Sequence, residues 1–443
     1  YVSVRLWDSH PERILASELR RDNSAIWQQD ESFTLFFDTF HDQRSGLQLI
    51  TNPLGAVLDL YTTSEKDNNP NFDTIWTPRA GRFEHGWTLE VEIPFKSLRY
   101  ARPGDQVWGV QFRRVVRWKN EVTHLTAVAP SYGMGGVAHL TEEATLLGVQ
   151  TPQSSLNLEV KPYVLSKLST DRLARPPTSN VLDGDVGVDV KYGVTNGLVA
   201  DFTYNTDFAQ VEDDQQQVNL TRFSLFFPEK RDFFLENQGM FTFGGANASF
   251  GSVSPILFYS RRIGLERGLA VPIRGGGRLT GRAGRYTVGL INMQTSDEPA
   301  VRAQPTNFSV VRVRRDVFRR SSIGVLATGR STGNAPLQNN AAYGVDGTFG
   351  FFQSLSINTY WARTDDRVRR APTSRRNRDS YDAKLDFNGD RYGLQLEQLS
   401  VGDAFNPGVG YVRRPDLRRT NAELRFSPRP KRNKIVRKYS YNA

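Results

Sequence analysis

Two patterns of apolar and polar positions divide the chain. Over residues 1–150 the apolar positions alternate in short, dense runs. "ESFTLFFDTF" places Phe33, Leu35 and Phe37 on one face, and "GWTLEVEIPF" does the same with Trp87, Leu89 and Val91. "QVWGVQFRRVVRW" continues the style, and Asn52-Pro53, Asn68-Asn69-Pro70 and Pro103-Gly104 punctuate the runs. Period-two alternation between turn formers predicts antiparallel strands packed as a β-sandwich, with slight helical content such as a turn near "IPFKSLRY".

After a linker at 151–155 the runs lengthen to roughly nine residues, the length a tilted bilayer-spanning strand needs. Leu198, Ala200, Phe202 and Tyr204 oppose Val199, Asp201, Thr203 and Asn205. Tyr381, Ala383, Leu385 and Phe387 oppose Asp382, Lys384, Asp386 and Asn388. Short turns near Asn196, Ala283, Phe318, Phe352 and Gly389 alternate with long polar links at 167–183, 206–272, 294–306, 329–340, 362–379 and 400–418. Tight periplasmic turns and long extracellular loops are the build of an outer-membrane barrel. Hydrogen bonding gives the reason, since in lipid only a helix or a closed barrel satisfies every amide. The fold class expected is therefore all-β, a sandwich over 1–150 followed by an antiparallel transmembrane β-barrel over 156–443. Both ends fall inside strand patterns, so the chain is read as part of a longer protein, its barrel incomplete at the C-terminus.

The link at 206–272 carries an unusual stretch, "NTDFAQVEDDQQQVNLTRFSLFFPEKRDFFLEN". Its acids Asp207 and Glu212 precede Arg222, Lys230 and Arg231, a layout suited to ion pairing. Phe208, Phe226, Phe227, Phe233 and Phe234 are too many to leave in water. The segment is expected to fold back as a plug or lid, with Glu229 and Glu236 among its residues.

Composition then removes alternatives. No apolar run approaches the ~20 residues of a spanning helix, and the absence of cysteine excludes disulfides, thiolate metal sites and cysteine nucleophiles. The net charge of +10 comes largely from arginine-rich stretches such as "RTDDRVRRAPTSRRNR" and "RRPDLRR". On barrel loops these suit lipid head groups, lipopolysaccharide or an anionic substrate rather than nucleic acid.

No catalytic constellation emerges. "GGANASFGS" and "IRGGGRLTG" lack the lysine-serine ending of a phosphate loop, no HExxH or GxSxG occurs, and Glu90 and Glu92 lie on one face of a strand. Sugar binding asks less, an aromatic platform with polar groups around it. Trp76, Trp87 and Trp118 are candidate platforms, although sandwich tryptophans more often fill the core. Asp38, Asp42, Arg44 and Asn52 are the candidate polar ring. Asp38, Asp42 and Asp59 offer oxygens for a structural calcium, and no other cofactor is expected.

"NTDFAQVE", "FFPEKRDFFLE", "LFYSRRIG" and "GGRLTGRAGRYTVGLIN", with "DTFHDQRSG", "NPLGAVLDL" and "WGVQFRR" upstream, resemble a group of bacterial outer-membrane barrel proteins of uncharacterised role. These join a carbohydrate-binding-module-family-9-like sandwich to a barrel. The resemblance implies a Gram-negative outer membrane with the sandwich in the periplasm. It also implies lipid and lipopolysaccharide around the barrel, and glycan or polymer binding or transport. The alternatives are a glycan-processing hydrolase and a structural anchor for partner proteins of an outer-membrane assembly.

Overall fold

The structure is a computed structural model. It describes the chain except for residues 42, 44, 64–66, 70–71, 99, 101–103, 153–157, 173–177, 196, 207–224, 228, 236, 246–252, 267–268, 300–301, 319–320, 334–338, 353, 367–376, 431–434 and 437. The N-terminal region contributes ten strands: β1 (Val2–Trp7), β2 (Ser32–Asp38), β3 (Ser45–Thr51), β4 (Leu58–Thr63), β5 (Asp67–Asn69), β6 (Thr77–Phe83), β7 (Gly86–Glu92), β8 (Gly104–Val116), β9 (Glu121–His124) and β10 (Ala144–Thr151). They form a small sheet ordered β1-β7-β6 and a larger one ordered β10-β8-β2-β3-β4-β5, with β9 paired to β8. The alternating residues meet between them. Trp87, Leu89 and Val91 of the small sheet pack against Phe33, Leu35, Leu49 and Trp108 of the large one. The expected helical turn is a 3-10 turn at Phe95–Ser97, and further short helical segments, not anticipated from the pattern, occur at Pro11–Arg13, Ala25–Gln28, Pro130–Ala138 and Leu140–Glu142.

The remaining strands are β11 (Leu158–Asp171), β12 (Thr178–Thr195), β13 (Leu198–Tyr204), β14 (Leu265–Glu266), β15 (Leu269–Ala270), β16 (Ile273–Ala283), β17 (Tyr286–Thr295), β18 (Thr306–Phe318), β19 (Ser321–Thr332), β20 (Asn340–Phe351), β21 (Leu355–Asp366), β22 (Asp379–Asn388), β23 (Tyr392–Val401), β24 (Leu417–Phe426) and β25 (Tyr441–Asn442). All but β14 and β15 belong to one antiparallel sheet of 13 strands in chain order. Among the described residues β11 and β25 are its edges and do not pair, so the sheet is not closed. All five short turns fall where the alternation placed them. The link expected at 167–183 differs. Lys167, Leu168 and Ser169 pair with Asp183, Leu182 and Val181, because the alternating pattern continues through them and the hairpin extends accordingly.

The two faces of this sheet differ. On one, Val313, Val325, Val345, Trp361 and Tyr381 stand side by side in successive strands. Val325, Val345, Trp361 and Tyr381 are between 40% and 48% exposed. The alternate positions of these strands turn the other way and are buried and frequently polar, as with Arg312, Thr328, Asp346, Thr364 and Asp382. Exposed aromatics gather at the short turns: Tyr286, Phe318, Phe351, Phe352 and Tyr392. From Phe351 to Tyr343 the strand climbs about 26 Å at ~3.3 Å per residue.

One group in the sandwich is placed at a cost. Glu31 is 0% exposed and neither of its carboxylate oxygens has a hydrogen-bond partner. Burial pushes its carboxyl up to about 7, against the opposing pull of Arg114. The folded chain then holds a proton that the unfolded chain releases near 4.5, so stability contributed by neutral Glu31 is lost as pH rises from there through about 7. Glu31→Gln is expected to flatten that part of the urea-midpoint profile and to raise the midpoint at pH 8, by up to ~3 kcal/mol. An unchanged slope would assign the pH dependence elsewhere.

Candidate functional site: the covered face and the cavities beside it

The described residues between 225 and 272 lie against the polar face of the 13-stranded sheet, and the seat is built from the segment's own sequence. In "PEKRDFF" the Arg231 guanidinium makes a two-point ion pair with Glu229, Nε to Oε1 at 2.9 Å and Nη2 to Oε2 at 2.8 Å. Both side chains are essentially sealed, at 1% and 0% exposure. The spare donors of Arg231 reach the Ile263 carbonyl at 2.7 Å and the Ser260 carbonyl at 3.0 Å, and Ser260 Oγ donates to Glu229 at 2.6 Å. Phe234 stacks under the guanidinium, with 4.3 Å from Cζ to the ring centre. Burial alone would raise the Glu229 carboxyl, but Arg231 and Ser260 outweigh it and hold it below the usual carboxylate range. This knot ties the start of the segment to the turn at Ser260–Arg262.

Beyond the knot the phenylalanines enter the sheet. Phe233, Phe234 and Phe241 join Ile273, Ile291, Met293, Phe308 and Val310 in one apolar cluster. Phe243 joins Leu326, Tyr360, Ala362 and Leu399 in a second. One row across the sheet reads Gly289, Arg312, Leu326, Gly344, Ala362, and its small residues are the seats. A Cβ on Gly289 would stand 2.7 Å from Phe241, and one on Gly344 would stand 2.7 Å from Phe243. Polar pins complete the fit. Asn237 Nδ2 donates to Thr280 at 2.9 Å, Arg278 donates to the Phe233 carbonyl, and the Gly244 amide donates to Asp346 at 3.0 Å. Asp346 is itself held by Arg312, at 2.5 and 2.8 Å. The link between β23 and β24 also folds inward, with Tyr411 bridged to Ile256 and Val409 fully buried.

The side next to β11 is less filled. A cavity of about 200 Å³ is lined by Glu159, Lys161, Asp189, Lys191, Asp201 and Arg278. Asp201 and Arg278 pair there at 2.8 Å, and Lys191 approaches Glu159 at 4.0 Å. A second cavity of about 600 Å³ opens where the sandwich meets the sheet, between Phe40, Tyr61, Phe72 and Lys96 on one side and Glu159 and Lys191 on the other. Glu159, Lys191 and Asp73 line both, so the two run into each other.

The segment residues singled out from sequence divide cleanly. Phe226, Phe227, Glu229, Lys230, Arg231, Phe233 and Phe234 are in or beside the knot, Phe226 packing on Tyr259 with ring centres 5.2 Å apart. Asp207, Phe208, Glu212, Arg222 and Glu236 lie outside the described residues. The sheet-side partners Arg278, Arg312, Asp346, Gly289 and Gly344 escaped the reading, because their alternation shows a polar face and not what occupies it.

The sugar-site candidates do not converge. Trp76 and Trp87, at 5% and 0% exposure, are core residues with no face left for a pyranose. Trp118 is half-buried at the surface, between Arg13 at 5.4 Å and Lys119 at 4.9 Å, with its Nε1 3.3 Å from Asp8. Asn52 is spent on the chain itself. Its amide donates to the Glu18 carbonyl and Asp30, and its oxygen accepts from Leu54 and Ala56. Asp42 and Arg44 lie outside the described residues. The calcium trio also needs correction. Asp59 pairs with Leu49, which pairs with Leu35, so Asp38 lies three residues further along β2 and two strands away from Asp59. Asp59 instead takes Arg21 at 2.8 Å and the Thr74 amide at 2.6 Å.

With this geometry in place, a family model described as a domain of unknown function (DUF5916) matches residues 154–271, the first strands of the large sheet and the inserted segment. The match begins after the sandwich, so the likeness of 1–150 to a carbohydrate-binding module rests on its sequence motifs alone. No curated protein matches. Among solved structures, OpdQ of Pseudomonas aeruginosa aligns at 7% identity with a TM-score of 0.30, over 93% of this chain and 91% of that chain. OccD3 (OpdP) of the same organism aligns at 10% identity and 0.30, over 96% and 89%. OccK2 (OpdF) in complex with glucuronate aligns at 10% and 0.29, over 93% and 89%. Superpositions this loose carry nothing about substrate.

Arg231→Ala leaves the Glu229 carboxylate buried without its partner and is expected to cost about 3–5 kcal/mol. Replacing both by Leu and Met is expected to cost far less, because no charge is stranded. Protease sensitivity of the segment in detergent measures the difference, and equal sensitivity of the two variants would contradict it. Since the folded Glu229 carboxyl is depressed, the knot's contribution is fully present above its ordinary 4.5 and is lost as pH falls below that.

Proposed function

We propose that this chain is an outer-membrane β-barrel channel for hydrophilic solutes, with its N-terminal sandwich in the periplasm and residues 225–272 acting as a plug. The observation that carries the reading is the exposed apolar row Val325, Val345, Trp361 and Tyr381 opposite a buried polar face. In water such a row is a liability, whereas in hydrocarbon it is the required surface. The aromatics at the short turns and the pair Tyr343 and Trp361 higher up, 6.2 Å apart, suit the two interfacial girdles of a membrane barrel. At a tilt near 40° the ~26 Å between them becomes roughly 20 Å, close to the ~25 Å apolar band of such barrels.

The two ends of the sheet support this orientation. Short turns face the periplasm in these barrels, and the sandwich meets the sheet at that end, where Arg282 beside the β16–β17 turn stacks over Phe40 at 5.5 Å. At the far end Arg363 and Arg414 stand exposed, suited to lipopolysaccharide phosphates. The charged wall of Glu159, Lys161, Asp189 and Lys191 leads to the cavity above the sandwich. It suits polar or charged solutes, saccharide acids among them, in passage rather than in a sugar-stacking site, because Trp76 and Trp87 are committed to the core.

Two measurements test the reading. The protein is expected to need detergent and to shift its gel migration on heating, and free solubility without detergent would end the membrane assignment. In planar bilayers, Gly289→Leu is expected to displace Phe241 and raise ion conductance several-fold. Conductance equal to that of the unaltered chain would remove the plug while leaving the barrel intact.

A further inference from the structure

The end of β2 carries a cluster that nothing in the channel reading uses. Asp38 closes the strand, His41 follows in the turn, and Glu143 comes from the segment just before β10. Their ligand atoms, two carboxylate oxygens and an imidazole nitrogen, all lie within 4.8 Å of one another. His41 Nδ1 already approaches Glu143 Oε1 at 3.5 Å.

Each donor is held by a feature that serves no evident packing purpose. Glu143 has a side chain only 1% exposed, neither of its oxygens receives a hydrogen bond from a nitrogen or hydroxyl donor, and its carboxyl faces that of Asp38. A sealed carboxylate aimed at another carboxylate is costly unless something positive lies between them. The fold nonetheless makes room for it. Gly109 sits opposite Asp38 in the β2–β8 ladder, and a Cβ there would stand 2.0 Å from the Glu143 carboxyl carbon. Asp38 is fully buried and oriented by the amides of Phe40 at 3.1 Å and Gln43 at 2.7 Å, the kind of outer bonds that aim a ligand carboxylate. His41 follows with a positive φ of 49°, an uncommon backbone conformation that histidine takes more readily than most residues. Its side chain remains 33% exposed, which leaves a way in from solvent.

The geometry points to a binding site for one divalent transition cation, Zn²⁺ first, held by Asp38, His41 and Glu143 with water in the remaining position. One nitrogen and two carboxylates is a borderline-to-hard donor set of the kind that zinc takes, whereas an imidazole donor disfavours calcium and magnesium. Zinc ligands at ~2.0–2.2 Å stand about 3.3 Å apart around a tetrahedron. The 3.5 Å His41–Glu143 approach nearly meets that spacing. Because Phe40 lies between Asp38 and His41 and stacks under Arg282, the bound ion fixes the loop by which the sandwich touches the sheet. The site is independent of the membrane assignment.

The test uses the full chain in detergent, stripped with a chelator and reloaded with zinc chloride. One Zn²⁺ per chain by elemental analysis, with a raised melting temperature, is expected. His41→Gly keeps the positive φ that glycine tolerates, and Glu143→Gln keeps the volume. Both are expected to fold, as judged by unchanged gel behaviour, and to bind zinc more than about 100-fold more weakly, beyond the loss seen on removing an outer-sphere partner. Gly109→Ala is expected to lose the ion as well. Were Glu143 merely sharing a proton with Asp38, glutamine would still donate to Asp38, and zinc would leave the melting temperature of both proteins unmoved. That result overturns the site, as would zinc uptake equal in all variants or preference for calcium over zinc.

Discussion

The 13-stranded sheet reverses the usual partition of side chains, leaving its apolar face open and covering its polar one. Hydrophobic burial alone cannot produce that arrangement in water, where the exposed row would seek a second sheet. The rest of the larger region depends on this reversal. Because the covered face is polar, whatever occupies it has to satisfy arginines, aspartates and threonines as well as fill space. Because the open face is apolar, it suits hydrocarbon rather than water, which is the ground of the membrane proposal.

The described residues between 225 and 272 meet the first demand by combining two kinds of contact. Phenylalanines enter where Gly289 and Gly344 leave gaps, while Arg278, Asp346 and Thr280 bond the segment's backbone and Asn237. The Glu229–Arg231 knot adds little net stability by itself, since both charges are desolvated. Its use is geometric, as it fixes the direction in which the phenylalanines leave the turn at Ser260–Arg262. The segment is therefore held mainly by the fit of its phenylalanines and by its polar pins to the sheet, with the ion pair setting their direction.

The sandwich has its own logic and a different partition. Its interior is conventional, with Trp87 and Phe36 completely enclosed, and its departures are charged groups placed where they serve no packing role. Glu31, Asp38 and Glu143 are all sealed. Two of them meet beside His41, at the loop that carries Phe40 to the sheet. Asp30 and Asp59 are as deeply buried but are answered by hydrogen bonds and by Arg21, whereas the pair at His41 sits where the two parts of the molecule touch.

What the residue pattern determined was everything local. Strand periodicity, the five tight turns, the change in strand length after residue 151 and the two-faced character of the larger sheet all follow from the alternation of side chains in an extended chain, a property of single strands. The phenylalanine-rich stretch likewise announced that it would be buried. Only the tertiary structure decided against what. The seats at Gly289 and Gly344, the pins at Arg278 and Asp346, and the meeting of Asp38, His41 and Glu143 join residues far apart in the chain. Trp76 and Trp87 make the same point in reverse: an alternating tryptophan is equally suited to core or surface until the opposing sheet is placed. Register across strands and the packing of one segment on another are set by the whole fold at once, which is why no stretch of sequence contained them.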